Sequence, residues 1–222
     1  MRRVILNFHG LGQPTRALEP GEALYWVPAD LFAQTLDLAR SLKGKVETHI
    51  TFDDGNASDL TLAAPLLAEH AMHAQFFVLS DRIGEAGSLS ATDMHELQKA
   101  GHSIGTHGAS HVDWKALDAA GQTREFDHAR TAIAGVTGQP VTAAAIPFGR
   151  YNGAVLRALK SRGYTHVYSS DGGAWRSDRA PIPRTSPRSD MTIEDIENVM
   201  LGREPVLRPL RRRVVGMIKR HL

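Results

Sequence analysis

Val46-Glu47-Thr48-His49-Ile50-Thr51-Phe52-Asp53-Asp54-Gly55 is a β-branched and apolar run that closes on two adjacent carboxylates and a glycine. Successive residues of a strand point to opposite faces. Asp53 and Asp54 therefore reach one cavity only if the chain turns there, and Gly55 has the conformational freedom that a tight turn needs. By itself, Asp-Asp-Gly is also an ordinary solvated turn, so its neighbours decide the reading. Working outward, further strand patterns cover residues 4–8, 74–79, 103–106, 141–146 and 166–169. Helix-period segments lie between them at 30–42, 59–70, 92–100, 124–136 and 154–162, with Asp30 and Thr92 as expected N-caps. Alternating β and α elements predict an α/β fold. That alternation alone does not separate a closed barrel from an open doubly wound sheet. Candidate chemistry follows the strands that end at Phe8, Phe52, Thr106 and Ile146, and several strand ends meeting at one pocket is the property of a barrel's C-terminal mouth.

Composition narrows the chemistry. The chain has 222 residues, 42% of them apolar, with a formal net charge of +2 and no cysteine. This suits a sizeable core and gives no sign of nucleic-acid binding by the body of the chain. Disulfides, thiolate metal sites and a cysteine nucleophile are excluded, so any metal must sit on histidine and carboxylate. The apolar stretch after Arg2 and Arg3 is too short for a signal-peptide core, and no segment offers the roughly 18 apolar residues of a spanning helix. The expectation is a cytoplasmic protein with one domain over residues 1–222, of undetermined oligomeric state.

His107-Gly108-Ala109-Ser110-His111 follows the strand pattern ending at Gly105-Thr106. A four-residue spacing places both imidazoles on one side of a helical turn, able to share an ion. One aspartate and two histidines leave open positions for water and substrate, and they suit zinc (Zn2+) or another first-row divalent ion such as Co2+, Ni2+ or Mn2+. Such an ion polarises an amide carbonyl. Amide hydrolysis further needs a base for the water and an acid for the departing amine. The second carboxylate is suitably placed for the base.

Thr51 through Gly55, His107 through His111 and Ile146-Pro147-Phe148-Gly149 together resemble the first three motifs of the polysaccharide deacetylases, the NodB-homology group of carbohydrate esterase family 4 type. The resemblance covers roughly residues 1–190 and implies a distorted (β/α)7-type barrel. It implies that Asp53 is the general base and that Asp54, His107 and His111 are the metal ligands. Pro147, Phe148 and Gly149 would form one wall of the substrate groove. The sequence departs from the family in three places. Gly108 stands where the family has Ser or Thr. Ala145 stands where an arginine usually steadies the base, and Arg184 is the candidate to replace it. No Leu-x-His strand follows Asp171 to supply the usual acid. Some members acting on poly-N-acetylglucosamine look circularly permuted and open with a strand ending in Tyr-His, which Ile5-Leu6-Asn7-Phe8-His9 resembles. On that basis His9 takes the acid role.

Tyr25, Trp26 and Trp175 are further candidates for lining the substrate site, each with core packing as the alternative. Trp114 and the remaining histidines read as structural. Residues 207–222 form a basic amphipathic pattern, either packed on the barrel or in peripheral contact with a membrane. The function expected is removal of N-acetyl groups from an N-acetylated saccharide. The alternatives are a ureide-type amide hydrolase on the same fold and a silent sugar-binding domain.

Overall fold

The structure, a computed structural model, describes residues 1–177, 180–203 and Lys219. β1 (Arg2–Phe8) leads into a short parallel pair, β2 (Gly10–Leu11) with β3 (Trp26–Val27), and then α1 (Ala29–Ser41). β4 (Val46–Asp54) is followed by a π-helical turn (Asp59–Ala63) continuous with α2 (Ala64–Glu69), and β5 (Ala74–Val78) by α3 (Ala91–Lys99). After β6 (Ser103–Thr106) come α4 (Ala119–Gln122), a second π-helical turn (Thr123–His128) and α5 (Ala129–Thr137). The remainder is β7 (Ala143–Ala145), α6 (Gly153–Ser161), β8 (His166–Ser169), β9 (Ala174–Trp175), β10 (Ile182–Pro183) and α7 (Ile193–Leu201).

The main sheet runs β10-β8-β7-β6-β5-β4-β1-β9, with every neighbour parallel except β9, which is antiparallel to β1. The chain just past β10 closes the sheet on itself. Arg184 N donates to Ser169 O of β8 at 2.9 Å, and Thr185 N donates to Ile5 O of β1 at 2.9 Å. Asn7 N returns a bond to Thr185 O at 2.9 Å. β9 fills the other half of the seam, pairing Arg3 with Trp175 and Val4 with Ala174. The result is a distorted, nearly closed β/α barrel whose parallel strands deliver Phe8, Asp54, Thr106, Ala145 and Ser169 to one rim.

Side-chain alternation builds two apolar layers. Outward residues of β1 and β4, among them Leu6, Phe8, Ile50 and Phe52, join Leu31, Phe32 and Leu36 of α1 in the outer core. Phe8 meets Phe32 edge-on at 4.8 Å, and Phe52 stacks on Phe76 at 5.0 Å. Inward residues Ile5, Phe77, Ala143, Ala145, Tyr168 and Ile182 fill the barrel. A Cβ at Gly105 would lie 2.6 Å from the Phe77 ring, so only glycine lets that ring turn inward.

Local details correct the sequence reading at both expected caps. α1 begins one residue earlier, after Pro28, and the Asp30 carboxylate instead accepts from Leu31 N at 2.9 Å within the first turn. α3 is capped by Ser90, not Thr92, because Ser90 and Asp93 satisfy each other's backbone N–H groups at 3.2 and 2.8 Å. Among the described residues no helix is long and apolar enough to cross a membrane. The basic segment 207–222 lies outside the described residues apart from Lys219.

Candidate active site

Asp53 and Asp54 are both buried at the rim, at 3% and 2% exposure, although they are neighbours on one strand. Asp54 adopts a left-handed conformation, φ 76°, followed by Gly55 at φ 68°. The turn thus begins at the aspartate itself, one residue before the glycine the sequence singles out. Such a conformation costs a side-chain-bearing residue on the order of 1–3 kcal/mol. It swings Asp54 back into the cavity that Asp53 already faces.

Asp53 is held from several sides. Arg184, fully buried, donates from Nη1 to Oδ1 and from Nη2 to Oδ2, both at 2.7 Å. Asn7 Nδ2 donates to Oδ2 at 2.9 Å, while Asn7 Oδ1 accepts from Thr51 Oγ1 at 2.7 Å and from Arg184 Nη1 at 2.6 Å. Burial pushes the Asp53 carboxyl up, but the Arg184 guanidinium, together with His107 and His9, more than offsets it and holds the group well below the ordinary carboxylate range. Arg184 lies 5.2 Å from the Phe77 ring centre and 5.8 Å from that of Tyr168. Ala145 belongs to the same interior cluster as those rings. A small residue there and an arginine on the closing strand are therefore complementary, which accounts for the departure at Ala145.

His107 and His111 do not lie on a helical turn, contrary to the sequence reading. They flank an irregular loop with Gly108 at φ 93° and His111 at φ 56°. Glu125, buried, clamps that loop by accepting from Ala109 N at 2.7 Å and from Ser110 Oγ at 2.6 Å. A Cβ at Gly108 would lie 2.4 Å from Glu125 Oε2, so the position suits glycine both for its φ and for this close approach.

The ring orientations are determined by the partners of Nδ1. His107 Nδ1 lies 2.9 Å from Ala145 O, which can only accept, so Nδ1 carries the proton. His111 Nδ1 lies 2.8 Å from a Glu19 carboxylate oxygen, which assigns the same tautomer. Both Nε2 lone pairs are left to face Asp54 Oδ1, at 3.6 and 3.7 Å. Burial lowers the His107 pKa, outweighing Asp53 and Asp54, which favours the neutral ring that a metal requires. Burial pushes the Asp54 carboxyl up, yet His9, His107 and His111 in their protonated forms more than offset it, so its pKa lies below the ordinary value.

This donor set fits a divalent cation. Ligand atoms of Asp54, His107 and His111 all lie within 4.8 Å of one another. Among the described residues Asp54 Oδ1 is buried without a hydrogen-bond partner, the signature of an atom arranged for another ligand. The carbonyl and carboxylate behind the imidazoles are the outer partners that metal-binding histidines use.

Around this centre the remaining candidates separate. The His9 ring lies 4.9 Å from that of Tyr25, and its charge acts on both Asp53 and Asp54. The Phe148 ring, 49% exposed, stands 4.3 Å from His111, while Pro147 and Gly149 are buried beneath it. Trp26 is not a groove residue. It is 6% exposed and packs face-on over Gly10, where a Cβ would meet its ring at 2.3 Å. Trp175 is not one either. Its register opposite Arg3 puts it at the far end of the barrel, with Arg3 4.2 Å over its ring and His49 5.1 Å away. Arg184 contacts the Asp53 carboxylate rather than the groove. Asn7, Glu19 and Glu125 complete the site without having been singled out. Only Asn7 carried a signal, since it shares the inward face of β1 with Ile5.

One further carboxyl lies nearby. Asp59 is fully buried, and among the described residues both of its oxygens lack hydrogen-bond partners. Burial, reinforced by Asp54 and Asp53, pushes its pKa well above the ordinary carboxylate range.

Residues 42–167 match the family model described as polysaccharide deacetylase. Protein YxkH of Bacillus subtilis (strain 168) is 30% identical over 130 residues, 59% of this chain and 47% of that protein. A chitin deacetylase of Pestalotiopsis sp is 30% identical over 122 residues, 55% of this chain and 40% of that enzyme. The chain thus spans about half, or less, of the length of these two relatives. In fold it is similar to a Streptococcus pyogenes deacetylase solved in complex with acetate (TM-score 0.75, 23% identity, covering 92% of this chain and 99% of that one). It is also similar in fold to a polysaccharide deacetylase from Bacillus cereus (TM-score 0.76, 19% identity, 90% and 69%).

Two stability outcomes follow from the buried charges. Arg184→Met strands the Asp53 carboxylate and should cost about 3–5 kcal/mol in urea unfolding at neutral pH. Because the lowered Asp53 pKa stabilises the fold only above the unfolded value, the difference should shrink as pH falls to about 4 and below. Asp59 has the opposite sign, with stability lost as pH rises from the unfolded pKa toward the folded one. In chelator, Asp59→Asn should melt higher than the unmodified chain by a margin that grows from pH 5 to 8. An equal margin at both pH values contradicts a buried neutral carboxyl.

Proposed function

This chain belongs to the polysaccharide deacetylase family, and from that premise we propose that it is a metal-dependent hydrolase releasing acetate from an N-acetylated saccharide. The observation that carries the reading is the convergence of Asp54, His107 and His111 on one point beside the Arg184-held Asp53 carboxylate. Sugar binding alone would need neither an ion site nor a fixed base.

Asp54 Oδ1 and the two Nε2 atoms would hold the cation, with zinc the ion best suited to one carboxylate and two imidazoles. When bound, it supplies Lewis-acid polarisation of the acetamide carbonyl. The other steps belong to side chains. Asp53, kept ionised by Arg184, accepts a proton from the attacking water as its oxygen bonds to the carbonyl carbon. Asn7 and Arg184 hold that carboxylate in one orientation, so little reorganisation accompanies the transfer. The C–N bond then breaks, and the His9 imidazole gives its proton to the departing nitrogen, leaving acetate and a sugar amine. Phe148, half exposed beside His111, offers a ring on which a sugar can stack, and the Tyr25 ring lies 4.9 Å from that of His9.

The test is acetate release from N-acetylglucosamine oligomers, sugar nucleotides and ureides with zinc, cobalt, nickel or manganese added. Release from the saccharides is expected; release from ureides alone overturns the assignment. Asp54→Ala, His107→Ala and His111→Ala should each lose both bound metal and turnover. His9→Ala should keep stoichiometric metal while kcat falls about 100-fold or more. A near-normal kcat removes His9 from the chemistry.

A further inference from the structure

The groove wall carries a second arrangement beyond Phe148. Lys219, from the C-terminal part of the chain, donates from Nζ to Asp171 Oδ1 at 2.7 Å and to Gly149 O at 2.9 Å. The same ammonium sits 4.9 Å from the centre of the Tyr151 ring. Asp171 is oriented for this contact. Its other oxygen accepts from Tyr151 Oη at 2.6 Å and from Ser169 Oγ at 2.9 Å, which leaves Oδ1 turned to the lysine. Carboxylate, carbonyl and aromatic face are the three groups that together recognise an alkylammonium ion. The neighbouring cation is drawn off elsewhere, since Arg150 lies 3.5 Å from Asp113 and over the Phe148 ring.

The Gly149 carbonyl and the Tyr151 ring of the cradle belong to the same short segment as Phe148. Phe148 and Tyr151 are three positions apart, a span of at most about 10 Å. We propose that Asp171, the Gly149 carbonyl and the Tyr151 ring form a subsite for an ammonium group, which Lys219 fills within the chain. Its exchangeable occupant is the protonated amine of an already deacetylated sugar next to the unit being hydrolysed. The identity of that occupant rests on the deacetylase reading, whereas the affinity of the cradle for a cation does not. The subsite would favour partly deacetylated chains over fully acetylated ones, with Lys219 as the competitor.

The experiment compares a fully N-acetylated glucosamine tetramer with the same tetramer bearing one free amine. Asp171→Asn keeps an acceptor for the Tyr151 and Ser169 hydroxyls but removes the charge. It should raise KM for the amine-bearing tetramer by about tenfold, the scale of a lost charged hydrogen bond. Its kcat, and its KM for the acetylated tetramer, should not change. Lys219→Met should lower KM for the amine-bearing tetramer alone. Equal changes on both substrates, or none on either, overturn the subsite. If the unmodified chain releases no acetate from either tetramer, the deacetylase reading has failed, and the cradle is judged by calorimetry. Glucosamine tetramer binding to Lys219→Met that is lost in Lys219→Met/Asp171→Asn supports it. Binding unaffected by Asp171→Asn, or no binding at all, ends it.

Discussion

Two consecutive residues of a strand cannot ordinarily face one cavity, and the site depends on this chain doing so. Left-handed Asp54 and Gly55 break the strand's alternation at its last residue, so a carboxylate that belongs outside the barrel returns to its mouth. Asp53 keeps the inward direction set by Thr51 and Asn7. The strain is stored at the rim and is offset by the packed layers on either side of β4, where Phe52 stacks on Phe76, tilts against Phe8 and meets Phe32 edge-on. A rigid strand end of this kind suits a site that needs fixed donor positions rather than adaptable ones.

The second requirement is charge balance without water. Asp53 and Asp54 are buried side by side, and neither could remain ionised if burial alone acted on it. Arg184 neutralises the first through paired hydrogen bonds, and the imidazoles oppose the effect of burial on the second. Asp59 shows the outcome where, among the described residues, neither carboxyl oxygen has a hydrogen-bond partner, since burial and the same two carboxylates push its pKa well above the ordinary range. The imidazole ligands have their own supports in Ala145 O and Glu19. Glu19 is also paired with Arg82, so a loop between β2 and β3 reaches across the mouth to orient His111. The closing segment 182–185 has two functions. Its backbone joins β8 to β1, and its arginine holds the Asp53 carboxylate.

Much of this was legible in the residue order. Strands 103–106 and 166–169 coincide with the observed ones, and the others differ by a residue or two at their ends, because apolar runs in a buried parallel sheet are distinct from helix-period segments. The group Asp53, Asp54, His107 and His111 was found because short motifs keep their members close in sequence. What was missed is long-range. Asn7 meets Asp53 across 46 residues and Glu19 meets His111 across 92, and no local pattern encodes such pairings. The spacing of the histidine pair suggests a helical turn because spacing reports separation, not backbone path; a loop that turns at Gly108 and is clamped by Glu125 through Ala109 and Ser110 produces the same proximity. Trp26 and Trp175 are ambiguous in sequence because aromatic side chains serve sugar stacking and core packing equally well. Only register, opposite Gly10 for one and Arg3 for the other, distinguishes the two uses. Helix α7 was not anticipated, although Thr192 and Asp195 form a capping box at its start.

The account stands on the geometry of one cation. Diffraction from zinc-soaked crystals, with anomalous signal recorded on both sides of the zinc absorption edge, locates that ion directly. The expected peak lies between Asp54 Oδ1 and the Nε2 atoms of His107 and His111, about 2.0–2.2 Å from each. The Nδ1 atoms should still be bonded to Ala145 O and Glu19. A peak elsewhere, or ligation through Nδ1 with those bonds broken, would contradict it.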